Sequence, residues 1–160
     1  EVGLDLFWKQ NNRKLQQTIF EEQLSIAREF GLPVIIHSRN AVKECLEILK
    51  NFNVTGVFHC YSDSMEMAKI IIDRGYYISF TGNITYPKAE NLRKIVNEIP
   101  VSSFFLETDA PYLAPQIKRG KRNEPAFIRY IYDFVAELKK MEREELINSC
   151  KKNIKNLFNL

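Results

Sequence analysis

Apolar positions along this chain recur in two textures, one with a period near four and one of short unbroken runs. Leu15, Ile19, Phe20, Leu24, Ala27 and Phe30 fall largely on one face at helical spacing, and Gly31 stands where a helix C-terminus favours it, so a helix is predicted from about Leu15 to Phe30. Pro33 then opens Val34-Ile35-Ile36-His37, a β-branched run that predicts a strand buried on both faces. A helix over about Ala41 to Lys50 and a strand over Thr55 to His59 repeat the alternation. Ser62 or Asp63 is placed to cap a helix from Met65 to about Asp73, which Arg74-Gly75 ends. Tyr76 to Phe80 reads as the next strand, Pro87 as the opening of a helix to Val96, and Ser103 to Glu107 as another strand. Pro125 to Lys140 and Glu142 to about Leu157 supply the last two helices.

With Glu1 to Leu4 counted as the end of a strand, the pattern holds five strands, each followed by helical sequence at intervals suited to right-handed crossovers. This predicts an α/β fold with a parallel sheet. No Gly-x-Gly-x-x-Gly or phosphate-loop sequence follows any strand, so a (β/α)8 barrel leads over a nucleotide-binding doubly wound sheet. Five strands cannot complete eight, and Glu1-Val2 runs straight into Gly3-Leu4-Asp5. The expectation is therefore a single domain over 1–160, a partial barrel lacking its N-terminal portion.

Composition narrows the picture modestly. The 160 residues are 45% apolar and 27% charged, enough for one substantial core. The longest apolar runs fall far short of the ~20 residues that cross a bilayer, which argues against a membrane protein. Three widely spaced cysteines and no leader-like start point to a reducing cytoplasm rather than a secreted disulfide framework. A formal charge of +3 permits an anionic substrate without announcing one, and leaves the oligomeric state open.

The chain has two histidines, and both end apolar runs, Ile35-Ile36-His37 and Val57-Phe58-His59. One histidine in such a place is commonly a hydrogen-bonded core or rim residue. Two matched ones, in a parallel barrel, would project toward the same mouth. Asp109 closes a third such segment before Ala110-Pro111 turns the chain, and Glu1 would stand at the corresponding end of the first. Two imidazoles and one or two carboxylates suit a divalent cation, with zinc, manganese and magnesium all chemically suitable, and such a set activates water for hydrolysis. His37, His59 and Asp109 are thus expected to converge at one end of the sheet.

Several segments carry a family resemblance in order and spacing: Glu1 to Asp5, Pro33 to Arg39, Val57 to Ser62, Gly82-Asn83-Ile84-Thr85, Glu107 to Pro115, Arg119 to Pro125 and Asn153 to Phe158. Together they resemble the TatD family over essentially the whole chain. The resemblance implies a (β/α)8 barrel of the metal-dependent hydrolase superfamily, with this chain covering strands 4 to 8, and a deoxyribonuclease that uses divalent metal, two ions per complete site, on a DNA substrate. Under it, Glu1 is similar to the metal-bridging glutamate, His37 and His59 to the two later histidine ligands, and Asp109 to the ligand that also accepts the proton of the attacking water. The family's His-x-His pair has no counterpart, since no histidine precedes His37, and Tyr61-Ser62-Asp63-Ser64 departs from the more usual Phe-Ser-Gly-Ser.

Other polar residues are weaker candidates. Arg39 can donate to a phosphate oxygen or form a rim salt bridge. Lys118, Arg119, Lys121 and Arg122 form a basic loop suited to a DNA backbone or to plain solvation, and Tyr112 is placed to stack on a base or to cover apolar surface. Cys60 reads as a small packed thiol. The same ligand set would serve an amidohydrolase or phosphotriesterase on a small molecule, and a barrel without its metal pair would be a non-catalytic binding protein.

Overall fold

The computed structural model describes residues 1–8 and 12–160. The chain alternates strand and helix: β1 (Val2–Asp5), α1 (Arg13–Glu29), β2 (Val34–Arg39), α2 (Val42–Leu49), β3 (Gly56–Phe58), α3 (Met65–Asp73), β4 (Tyr77–Phe80), α4 (Glu90–Glu98), β5 (Phe104–Leu106), α5 (Ile128–Lys139) and α6 (Arg143–Phe158). Among the described residues the strands form one sheet in the order β1-β2-β3-β4-β5, every neighbouring pair parallel. The α/β parallel expectation therefore holds, and the sheet has two free edges, on β1 and β5.

The twofold repeat of a strand gives the sheet two chemically different faces. Leu4, Ile36, Phe58, Ile78, Phe80 and Phe104 are fully buried and pack with Phe20, Leu24, Cys45, Ile71, Ile95, Ile131 and Leu146 of the helices in one continuous core. Residues of opposite parity turn away from that core. Val57, Tyr77 and Phe105 form a small separate cluster there with Leu157, and Ile35 is 40% exposed. The expectation that Val34 to His37 is buried on both faces is corrected: β2 alternates.

Local chemistry also shifts several ends. The cap of α3 is Ser64, whose side chain accepts from the Met67 N–H at 3.2 Å, because Asp63 instead accepts from the Ser64 N–H at 2.6 Å. Pro87 does not open α4: a 3-10 turn over Gly82–Thr85 comes first, and the Arg93 guanidinium binds the carbonyls of Ile84, Tyr86 and Pro87. Pro125 begins a 3-10 turn that leads into α5. Gly3 has φ +138°, and a Cβ there would lie 2.0 Å from the His37 carbonyl oxygen, so only glycine lets β1 approach β2 beside that histidine. No helix among the described residues is long and apolar enough to cross a membrane.

The final helix is tied to the sheet by Asn153, whose buried amide donates to the carbonyls of Val101 and Phe104, both at 2.8 Å. Asn153→Ala removes the only side-chain donors these two carbonyls have in the described structure, and is expected to cost ~1–3 kcal/mol of unfolding free energy. Urea denaturation of both proteins checks this; a loss under about 0.5 kcal/mol would mean that water replaces the amide freely.

Candidate metal centre

Parity selects the site. Glu1, Asp5, His37, His59, Ser79, Glu107 and Asp109 all share the phase of Ile35, Val57, Tyr77 and Phe105, on the face turned away from the helical core. The ladder continues beyond the strand ends, with the His59 N–H on the Ile36 carbonyl (2.9 Å) and the Glu107 N–H on the Phe80 carbonyl (3.0 Å). That continuation holds both side chains in the sheet's phase. Asp109 has φ +54°, a left-handed conformation that aspartate tolerates better than most residues, and this turns its carboxylate toward His59. The turn after it is fixed by Asn123, a buried amide that donates to the carbonyls of Thr108 and Tyr112.

The side chains converge as expected. His59 Nε2 lies 3.7 Å from Glu1 Oε1 and 3.7 Å from Asp109 Oδ1, and His37 Nδ1 lies 3.8 Å from Glu1 Oε2. Two donors on a tetrahedral ion with ~2.1 Å bonds stand about 3.4 Å apart, so these donors fit a divalent cation with a slight contraction. Glu1, His37 and His59 offer ligand atoms within 4.8 Å of one another, as do His59, Cys60 and Asp109. One detail of the expectation changes. Glu1 is not at the end of β1 but just before it, and its half-exposed side chain reaches the two histidines while the strand runs on to Asp5.

Each imidazole turns one nitrogen to this cluster and has the other held by a carboxylate. Glu107 takes His59 Nδ1 at 2.9 Å and also accepts from the Cys60 N–H (2.8 Å) and the Ser79 hydroxyl (2.5 Å). Asp5 Oδ2 lies 3.3 Å from His37 Nε2. Such carboxylate–histidine pairs fix ring orientation and raise the basicity of a metal ligand. Neither Glu107 nor Asp5 stood out in the sequence, although strand parity alone would have placed both beside the histidines.

Electrostatics follow from burial and crowding. Burial pulls the His59 pKa down, but the hydrogen bond and charge of Glu107, with Glu1 and Asp109, outweigh it and leave it raised. Burial would lift the Glu107 carboxyl, yet His59, Ser79 and the Cys60 N–H hold it below its usual range. Asp109 is raised, first by burial and then by the charges of Glu107 and Glu1, against the pull of His59 and His37. Burial pushes the Cys60 thiol up to about 11, so it stays protonated beside Thr81.

A cleft of about 880 Å³ opens over the cluster, lined by Glu1, His37, His59 and Asp109 and by Trp8, Arg39, Asn83 and Tyr112. Arg39 and Tyr112 thus reach the site. Arg119 and Lys121 do not line the cleft: both are exposed, and Arg119 lies over the Tyr86 ring at 4.1 Å.

The family model described as TatD related DNase matches residues 1–159. The chain belongs to the TatD family. Among TatD relatives, the uncharacterized metal-dependent hydrolase YabD of Bacillus subtilis is 38% identical, and YcfH of Escherichia coli, described in the same words, is 39% identical. Each alignment covers 100% of this chain, and 64% and 62% of those relatives respectively. The crystal structure of YjjV, a TatD homologue from Escherichia coli, superposes with a TM-score of 0.94 at 33% identity, over 100% of this chain and 62% of that one. The chain thus spans less than two thirds of the relatives it matches. A TatD family hydrolase of Entamoeba histolytica shares the fold, at a TM-score of 0.85 and 21% identity over 99% of this chain and 62% of that one.

Two outcomes follow. Glu107→Gln keeps the shape but removes the charge that orients His59, so affinity for zinc or manganese should fall about 10–100-fold in calorimetric titration; an unchanged affinity would show His59 to be held by packing alone. Affinity should also fall with pH. A ligand histidine must be neutral, so metal displaces the proton that the carboxylates favour on His59, and the loss should set in above the ordinary histidine value of 6.5. Conversely, in the metal-free protein the same ion pairing stabilises the fold below 6.5 and fades as pH rises through the raised value. Titrations at several pH values read both effects.

Proposed function

We propose that this chain supplies part of the active site of a metal-dependent nuclease that hydrolyses phosphodiester bonds of DNA. The observation that supports it best is the convergence of Glu1, His37, His59 and Asp109 under an open cleft whose wall carries Arg39 and Tyr112. In this reading the four residues hold divalent metal, two ions (magnesium, manganese or zinc) in a complete site. A divalent ion held there supplies Lewis acidity, polarising the phosphoryl group and making a water acidic.

The protein's own groups do the rest. Asp109, its pKa raised by burial and by its neighbouring carboxylates, accepts the proton of the attacking water. Glu107 keeps His59 pointed at Glu1 and Asp109, and Asp5 does the same for His37. The Arg39 guanidinium donates to a non-bridging phosphate oxygen, and Arg119 and Lys121 attract the DNA backbone outside the cleft. An amidohydrolase or phosphotriesterase could use the same donors, but exposed aromatic and cationic groups around an open cleft suit a long polyanion better than a small apolar molecule. The free edges of β1 and β5, with the exposed Ile26, Leu32 and Ile35 beside β1, support reading the five units as strands 4 to 8 of an eight-stranded barrel, with residues 1–160 as one partial domain.

In the metal-loaded protein, Asp109→Asn should lower kcat on a DNA oligonucleotide about 10²–10⁴-fold while its Kd stays within a few-fold. A chelator should abolish cleavage. Arg119→Gln with Lys121→Gln should leave kcat near parental and lower the slope of log Kd against log salt by about 1.4–1.8. Near-normal turnover in Asp109→Asn, or cleavage in the presence of chelator, would remove the mechanism.

A further inference from the structure

The rim of the cleft carries a feature that the metal chemistry does not use. Immediately after β1, Phe7 and Trp8 are 47% and 57% exposed, their rings edge to face with centroids 4.9 Å apart. Trp8 lines the same cleft as His37, His59 and Asp109. Arg39 is the last residue of β2, two positions after His37, and its guanidinium carbon stands 3.7 Å over the Phe7 ring and 5.6 Å from that of Trp8. Among the described residues no carboxylate pairs with Arg39. Its flat face is engaged by Phe7, while its N–H edge is left for an oxygen acceptor.

Resting on the nuclease reading, we propose that Trp8 is the base-stacking residue of this cleft, and that Phe7 positions Arg39 for the phosphate of the stacked nucleotide. An indole offers a flat apolar face to any base, and a guanidinium held on a neighbouring ring offers a bidentate edge to the backbone beside it. The spacing between base and reacting phosphate is set by Asp5. Its Oδ1 accepts from the Phe7 N–H at 3.0 Å, which fixes the turn, while its Oδ2 lies 3.3 Å from His37 Nε2. One carboxylate therefore anchors both the aromatic shelf and a histidine of the metal centre.

Trp8 is the only tryptophan in the sequence, so its fluorescence reports on the shelf alone. The metal-loaded Asp109→Asn protein is titrated with a single-stranded thymidine oligonucleotide and with an abasic oligonucleotide of the same length and charge. Quenching by the first and little by the second is expected. In steady-state cleavage by the metal-loaded protein, Trp8→Ala should raise KM for the base-bearing oligonucleotide about 5- to 150-fold with little change in kcat, and Trp8→Phe should restore most of it. Phe7→Ala should weaken binding of both oligonucleotides, since it loosens Arg39. Equal quenching by both oligonucleotides, or an unchanged KM in Trp8→Ala, overturns the stacking role and leaves the nuclease reading standing. Failure of the parental metal-loaded protein to cleave any oligonucleotide overturns the nuclease reading itself, and this inference with it.

Discussion

Four carboxylates, those of Glu1, Asp5, Glu107 and Asp109, stand within 4 Å of two imidazoles at one end of a parallel sheet, and much of the local architecture answers to the resulting excess of negative charge. Even with both rings protonated the negative charges outnumber the positive ones. The chain relieves part of this by raising the proton affinity of His59 and of Asp109, and part by giving Glu107 three hydrogen-bond donors. What remains is a concentrated negative field in a half-buried place, where screening by water is weak. A divalent cation held between these groups would offset it.

The placement of these groups depends on the strict twofold alternation of the strands. Apolar residues of one parity build the core with the helices, and residues of the other parity are free to be polar. Charged side chains can therefore sit on or beside the strands without putting charge into the core. A slip of one residue in the pairing of β1 with β2 would turn Leu4 outward and Gly3 inward, so the core itself enforces the registration of the site.

The same alternation explains what the sequence disclosed. His37 and His59 were legible because each interrupts an apolar run, and Asp109 because a turn follows it. Glu107 and Asp5 were not, since a carboxylate near a strand end reads equally as a solvated rim residue until its partner is known. Ile35 was misread as buried on both sides because an unbroken Val-Ile-Ile run conceals which residues face the helices. Trp8 lay in a segment without periodicity, as did Asn123 and the Ser64 cap, whose roles are decided by individual hydrogen bonds across 3 to 15 residues of separation.

Part of the surface around the cleft can be altered without touching its floor: Tyr112 on the wall, and Arg119 and Lys121 outside it, lie in the loop after β5, whereas the two histidines lie on or at the ends of strands. The stretch from Gln116 to Arg122 in the loop after β5 is accordingly the part through which this architecture could be retargeted by grafting, whereas the start of the same loop carries Asp109 and the turn that Asn123 fixes. The loop after β1 is bound to the site as well. Because one oxygen of Asp5 steadies His37 and the other fixes the start of that loop, a graft there would inherit an obligation to the metal centre, and would have to bring its own aspartate.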